Sequence, residues 1–198
     1  MRILGLVGQS GTGKTTVAEH LERNGAGRID ADSIVHDVLK EDSAVRRAVR
    51  ERFGTDVFSG GEIDRGVLGR LVFSDPESLE ALNRIVHPPV IDACVAQLRA
   101  FEASGTDLVV LDAALLLEVP LPFEVDLVIG LRCSRDEQMR RLRAVGGRSD
   151  EDLSARLDAQ AHVEASLDRA DVVVDTGGPK EAVFDEIDRI IRILLGGV

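Results

Sequence analysis

Tryptophan and tyrosine are absent from this chain, and six Phe are its only aromatic residues. Proteins that hold single-stranded nucleic acid stack bases on aromatic platforms, and nucleic-acid binders in general present a basic surface. The basic surface is missing too: 24 Lys and Arg face 35 Asp and Glu, for a formal charge of −11. A nucleic-acid partner is therefore not expected. Cysteine is scarce. Cys94 and Cys133 are the only two, and they match no metal-ligand spacing or disulfide framework. They read as apolar thiols in a reducing cytosol. Long apolar runs are also lacking. The run from Ile3 to Gly8 is too short for a signal peptide or a spanning helix. The expectation is a cytoplasmic chain with no membrane partner.

Two further scarcities narrow the reading. Only Asn24 and Asn83 occur, followed by Gly25 and Arg84, so no N-K-x-D loop for reading guanine exists. Only three of the 24 cations are Lys: Lys14, Lys40 and Lys180.

What is present is a 198-residue chain with 44% hydrophobic residues, enough for one domain with a core. Short apolar runs alternate with helical patterns. The runs are Ile3–Val7, Arg28–Asp32, Asp107–Asp112, Val125–Leu131 and Asp171–Asp175. That alternation predicts a five-stranded parallel sheet wrapped by helices. A mostly helical stretch fills residues 33–104, and His87-Pro88-Pro89 is expected to bend or restart its helix. Ser134 and Glu137 have capping-box spacing at the start of another helix, which Gly146-Gly147 ends. The next helix is expected from Ser149 to about Arg169, and the last over Pro179–Leu195.

Residues 8–15, Gly-Gln-Ser-Gly-Thr-Gly-Lys-Thr, fit G-x-x-x-x-G-K-[ST] between a strand and a helix. From this composition, about 0.002 matches would arise by chance. The glycines let backbone N–H groups converge on phosphate oxygens, and the helix beginning near Gly13 adds its positive end. Gly8, Ser10, Gly11, Thr12, Gly13, Lys14, Thr15 and Thr16 are thus the expected nucleotide-binding residues. Lys14 would span the β- and γ-phosphates, and the Thr15 hydroxyl would face Mg²⁺. The fold class that follows is α/β, the P-loop NTPase fold. Without guanine recognition, a small chain of this kind reads as a small-molecule kinase. Asp175-Thr176-Gly177-Gly178 fits D-x-x-G but follows the last strand, and reads as coincidence.

Ligands of open α/β sheets bind at the carboxyl ends of strands. Asp30 and Asp32 stand at the end of the second strand, one to take a proton from an acceptor hydroxyl and one to cap a helix. Asp112, at another strand end, either holds Mg²⁺ through water or caps a helix. Between Arg132 and Arg148 lie six Arg and two acids, a local charge of +4. Arg140, Arg141 and Arg148 are the candidates for a γ-phosphate partner, because a planar guanidinium donates bidentately. Arg46, Arg47, Arg50 and Arg52 read as a solvated helix face.

In order along nearly the whole chain, these features resemble the dephospho-coenzyme A kinase family. The resemblance rests on the phosphate loop, Ile29-Asp30-Ala31-Asp32, Phe53-Gly54, Asp64-Arg65 with Leu68, Val72-Phe73, His87-Pro88, Leu115-Leu116-Leu117-Glu118, Gln160, and Ala170–Asp175 with Gly177. It implies ATP-dependent phosphorylation of the ribose 3′-hydroxyl of dephospho-coenzyme A, with Mg²⁺, by a monomer or weak homo-oligomer. It places the general base on Asp32, an acceptor-binding region near 33–104 and a lid near 135–160. It sets Asp175 and Gly177 beside adenine, and Arg65, His87, Leu115 and Glu118 at the acceptor. Three positions depart from the family pattern. Ala114 stands where Pro is usual, Val145 where Arg is common, and Thr176 where Asn is usual. The competing readings are another small-molecule or nucleoside monophosphate kinase, and a non-catalytic nucleotide-binding regulator.

Overall fold

A computed structural model describes residues 1–73, 75–113, 120–147 and 149–196. The chain divides into two compact units, residues 1–30 with 99–198, and residues 31–98.

The first unit is built on a parallel sheet ordered β2-β5-β1-β6-β7. Its strands are β1 (Arg2–Val7), β2 (Gly27–Asp30), β5 (Leu108–Asp112), β6 (Leu127–Arg132) and β7 (Val172–Asp175). β1 and β5 are buried almost throughout, which is why they read as unbroken apolar runs rather than alternating ones. Helix α1 (Lys14–Arg23) and the last helix, α9 (Lys180–Leu194), pack on this sheet. Val17, Ala18 and Leu21 of α1 and Val183, Ile187 and Ile191 of α9 form one core with Leu4, Leu6, Ile129, Leu131 and Val174. The helical spacing of those residues puts each set on a single face.

In the second unit, β2 passes straight into α2 (Ala31–Glu41), followed by α3 (Ser43–Phe53). Asp42 caps α3, its carboxylate accepting from the N–H groups of Ala44 and Val45. A small antiparallel hairpin, β3 (Phe58–Ser59) and β4 (Glu62–Ile63), then precedes α4 (Arg65–Phe73) and α5 (Pro76–Ala103). The hairpin is too short to leave a periodic signal. It assigns work to the arginines read as a solvated face: Arg46 donates to Gly61 O, and the Arg50 guanidinium lies 4.5 Å from the centre of the Phe58 ring.

Three sequence readings are corrected. Strand β2 stops at Asp30, so Asp32 lies in the first turn of α2 and not beside Asp30 on an extended strand. Of bend or restart at His87-Pro88-Pro89, restart is excluded: α5 continues as one helix through Pro88 and Pro89. Each proline deletes one backbone donor, but Val86, Val90, Cys94 and Leu98 stay buried at four-residue spacing, and that packing holds the helix together. Finally, the segment after Ser149 is not one helix. It is α7 (Asp150–Ala159), α8 (Ala161–Ser166) and a 3₁₀ turn at Leu167–Arg169, with the break at Gln160.

Candidate phosphate-binding site

Helix α1 begins after Gly13, whose left-handed φ of 93° turns the loop into the helix. No side chain caps this end, and its first turn holds no acid. By contrast α3, α6 (Arg135–Val145) and α7 are capped by Asp42, Ser134 and Ser149. The opening N–H groups of a helix have no intrahelical partner and sit at the positive end of its dipole. An uncapped start behind a glycine-rich turn is a receptor for an anion. Gly8 is required where it stands: a Cβ there would lie 2.5 Å from Leu131 O and 2.7 Å from the Thr12 hydroxyl. Lys14 folds back and donates to Gly8 O at 2.8 Å, which places its ammonium inside the loop. Thr15 is exposed in the first turn, and Thr16 is half-buried beside it.

Two structural collars hold the loop. In the first, Gln9 Nε2 donates to Gln160 O at 2.9 Å and to Leu157 O at 3.3 Å, and Gln138 Nε2 donates to Gln9 Oε1 at 3.0 Å. Ser10 N–H donates to Gln160 Oε1, and Arg156 Nε donates to Ser10 Oγ, both at 2.8 Å. In the second, the Thr176 hydroxyl donates to Thr12 O at 2.7 Å, and Arg141 Nη1 donates to Gly11 O at 3.2 Å. Arg141 also donates to the Thr176 carbonyl. Thr176, a departure from the family pattern, is thus a buried tie between the loop and the end of β7. Asp175 accepts the Gly177 N–H at 2.7 Å and closes the turn after β7.

The arginine cluster divides. Arg140 gives two N–H groups to Glu137, at 2.7 and 2.6 Å, and Arg141 gives its Nε to the same carboxylate at 2.7 Å. These two guanidiniums hold the Glu137 carboxyl at about 2, below the usual range. Ser134 does cap α6 through the Glu137 N–H, but the Glu137 side chain turns to the arginines, so only half of the expected capping box forms. Helices α6 and α7 are joined by Arg143 to Asp150 at 2.8 Å and Arg135 to Asp158 at 2.9 Å.

At the strand ends, Asp30 and Asp112 are register partners on β2 and β5. Arg28 bridges them, its Nη2 lying 3.2 Å from Asp30 Oδ2 and 3.1 Å from Asp112 Oδ2. Asp112 is thus an ion-pair partner, a role the two sequence alternatives did not include. Burial raises its pKa, opposed by the charges of Lys14 and Arg28 and supported by that of Asp30. Lys14 acts on Asp112, so the carboxylate belongs to the electrostatics of the loop. Among the described residues, no group of three or more His, Cys, Asp or Glu side chains could hold a metal ion. A metal here would use one or two protein oxygens together with phosphates and water, as Mg²⁺ does, and the Thr15 hydroxyl and Asp112 carboxylate fit that donor set.

In the second unit, Asp64 caps α4 by accepting from Gly66 and Val67, and Arg65 donates to His36 Nδ1 at 2.9 Å. Partial burial lowers the pKa of His87, which favours its neutral form. Leu115, Glu118 and Arg148 lie outside the described residues. Sequence reading missed Gln9, Arg28, Gln138 and Arg156. Strand alternation carried a signal for Arg28, two residues before Asp30, but Arg156 shows only as the residue four before Gln160.

No helix among the described residues is long and apolar enough to cross a membrane. A crystal structure of a Thermus thermophilus protein matches this fold with a TM-score of 0.81 at 32% identity, over 98% of this chain and 97% of that one. The dephospho-CoA kinase from Campylobacter jejuni shares the fold, with a TM-score of 0.63 at 24% identity over 99% of each chain. In sequence, the dephospho-CoA kinase of Syntrophus aciditrophicus is 38% identical over 194 residues, 97% of this chain and 83% of the relative. That of Corynebacterium efficiens is 34% identical over 193 residues, covering 97% and 96%. The dephospho-CoA kinase family model matches residues 2–181, so loop, sheet and sequence agree: the chain belongs to the dephospho-CoA kinase family.

Proposed function

We propose that this protein transfers the γ-phosphoryl group of ATP to the ribose 3′-hydroxyl of dephospho-coenzyme A, giving coenzyme A and ADP. The observation that carries this reading is the uncapped start of α1 behind the glycine loop, with Lys14 folded into it, in a chain of this family. ATP phosphates take the N–H groups of residues 8–16, and Lys14 leaves Gly8 O for the β- and γ-phosphates. The turn at Asp175 and Gly177 borders the adenine, with no Trp or Tyr to stack on it. Helices of residues 31–98 receive the acceptor, with Arg65 and His87 as polar contacts. Asp32, in the first turn of α2, accepts the proton of the 3′-hydroxyl. The freed oxygen pair forms the new P–O bond as the bond to the ADP oxygen breaks. Thr15, with Asp112 through water, would hold Mg²⁺, which supplies charge neutralisation on the phosphates. Glu137 positions Arg140 and Arg141; Arg141 then braces the loop at Gly11. Helices α6 and α7 act as the lid that excludes water, since hydrolysis competes with transfer.

An acceptor panel tests the proposal: ADP release from ATP and Mg²⁺ with dephospho-coenzyme A, shikimate, nucleoside monophosphates and water. Dephospho-coenzyme A is expected to stand far above the rest. A signal no greater than with water rejects the reading.

A further inference from the structure

Resting on the reading of residues 8–16 as a nucleotide loop, we propose that Gln9 is a positioning residue whose side-chain amide couples the filling of that loop to the order of α6 and α7. Gln9 is the second residue of the loop, and both ends of its carboxamide are spent on these helices. Its Oε1 accepts Gln138 Nε2 of α6 at 3.0 Å. Its Nε2 donates to Gln160 O at 2.9 Å and to Leu157 O at 3.3 Å, the carbonyls at the C-terminal end of α7. Gln9 is 8% exposed and Gln138 is 3% exposed, so water is a poor replacement for either bond. A buried amide left without its partner carries its full desolvation cost.

The contact runs both ways. Gln160 returns its own side chain to the loop, its Oε1 accepting the Ser10 N–H at 2.8 Å. Gln9 O meanwhile accepts the Thr12 hydroxyl at 2.8 Å and the Thr12 N–H at 3.3 Å. The residue anchored on the helices therefore also sets the turn of the loop, two residues before Lys14. No slack exists at Gly11, where a Cβ would lie 3.0 Å from Gln138 O. The ion pairs that join α6 to α7, Arg143 to Asp150 and Arg135 to Asp158, are by contrast exposed, and such pairs contribute little. A nucleotide that fixes residues 8–16 also fixes Gln9, and with it the helix ends that Gln9 grips. Linkage makes the effect reciprocal: order in the two helices favours the loop shape that binds phosphate.

The test follows hydrogen exchange of the full chain with and without saturating ADP, alongside calorimetric ADP titration and turnover with ATP and dephospho-coenzyme A. In wild type, ADP is expected to slow exchange in residues 8–16 and also across 135–145 and 150–166. Gln9→Met keeps the length of the side chain but makes none of the amide bonds. At saturation ADP should still slow exchange in its loop, while the slowing across 150–166 falls by about half or more and ADP affinity falls about fivefold or more. A merely structural Gln9 would instead raise exchange across 150–166 equally with and without ADP, and that outcome overturns the coupling. Gln138→Met cuts only the arm to α6. It should lose the ADP response across 135–145 and keep it across 150–166, which decides the matter if Gln9→Met does not fold; an unchanged response in both segments overturns the coupling. ADP binding to wild type with no slowing across 150–166 overturns it as well. If wild type shows the coupled response but no turnover with dephospho-coenzyme A, the acceptor reading fails and the role of Gln9 stands.

Discussion

Arg28 on β2 and Asp112 on β5 pair across neighbouring strands, Nη2 to Oδ2 at 3.1 Å, and the Lys14 charge of the loop also acts on that carboxylate. The same Nη2 reaches Asp30 at 3.2 Å, so one guanidinium separates two carboxylates that the register sets side by side. The Asp112 side chain is only 7% exposed, which leaves water little part in screening it.

Arg28→Ala should therefore destabilise the fold by about 3–5 kcal/mol at neutral pH, because it leaves a buried charge uncompensated. Burial already raises the Asp112 pKa, and losing Arg28 raises it further. An acid with a raised folded-state pKa favours the fold below its unfolded value and loses that contribution as pH rises through the folded one. The deficit of the variant should shrink as pH falls toward the carboxylate range. Urea unfolding of both proteins across pH checks this; a deficit that grows on acidification refutes it.

Asp32→Asn should lower kcat by about 100-fold or more, the usual range for removing a general base, while ATP still binds. Steady-state turnover with calorimetric ATP titration separates the two. Wild-type turnover in the variant rejects Asp32 as the base.

Glu137→Gln should release Arg140 and Arg141 and loosen the brace at Gly11. The Glu137 pKa is lowered from 4.5 to about 2 by hydrogen bonds from Arg140 and then Arg141. A depressed carboxylate stabilises the fold above its unfolded value and loses that contribution as pH falls through its folded one. The Tm gap between wild type and variant should be full above about pH 4.5 and close toward pH 2. A gap independent of pH over that window would count against the pairing.

Ile187 of α9 is wholly buried against the sheet. Ile187→Ala should cost about 2–5 kcal/mol, for lost transfer energy plus the cavity. Chemical denaturation measures it, and a loss under about 1 kcal/mol would mean that α9 is not part of the core.

The phosphate loop was legible in the sequence because its chemistry is local. Gly8, Gly13 and Lys14 act through backbone shape and one short stretch of chain, so spacing alone reveals them. The five strands were legible for a related reason: a strand buried on both faces must be apolar along its length, as Leu4, Leu6 and Val110 are. Helix continuity was not. Pro88 and Pro89 are local signals to stop, and four buried residues at Val86, Val90, Cys94 and Leu98 outweigh them only once the chain has folded. The polar partners were legible least. Gln9 meets Gln138 and Gln160, and Ser10 meets Arg156, across 129 to 151 residues of chain. No periodicity records such distances. The sequence by itself determined a glycine-rich turn that opens an uncapped helix after Gly13, because glycine spacing and the lack of a capping side chain are local features. Tertiary structure decided that Arg140 pairs with Glu137 and that Arg141 braces the loop at Gly11, because a guanidinium's contacts depend on the carboxylates and carbonyls that packing brings within reach.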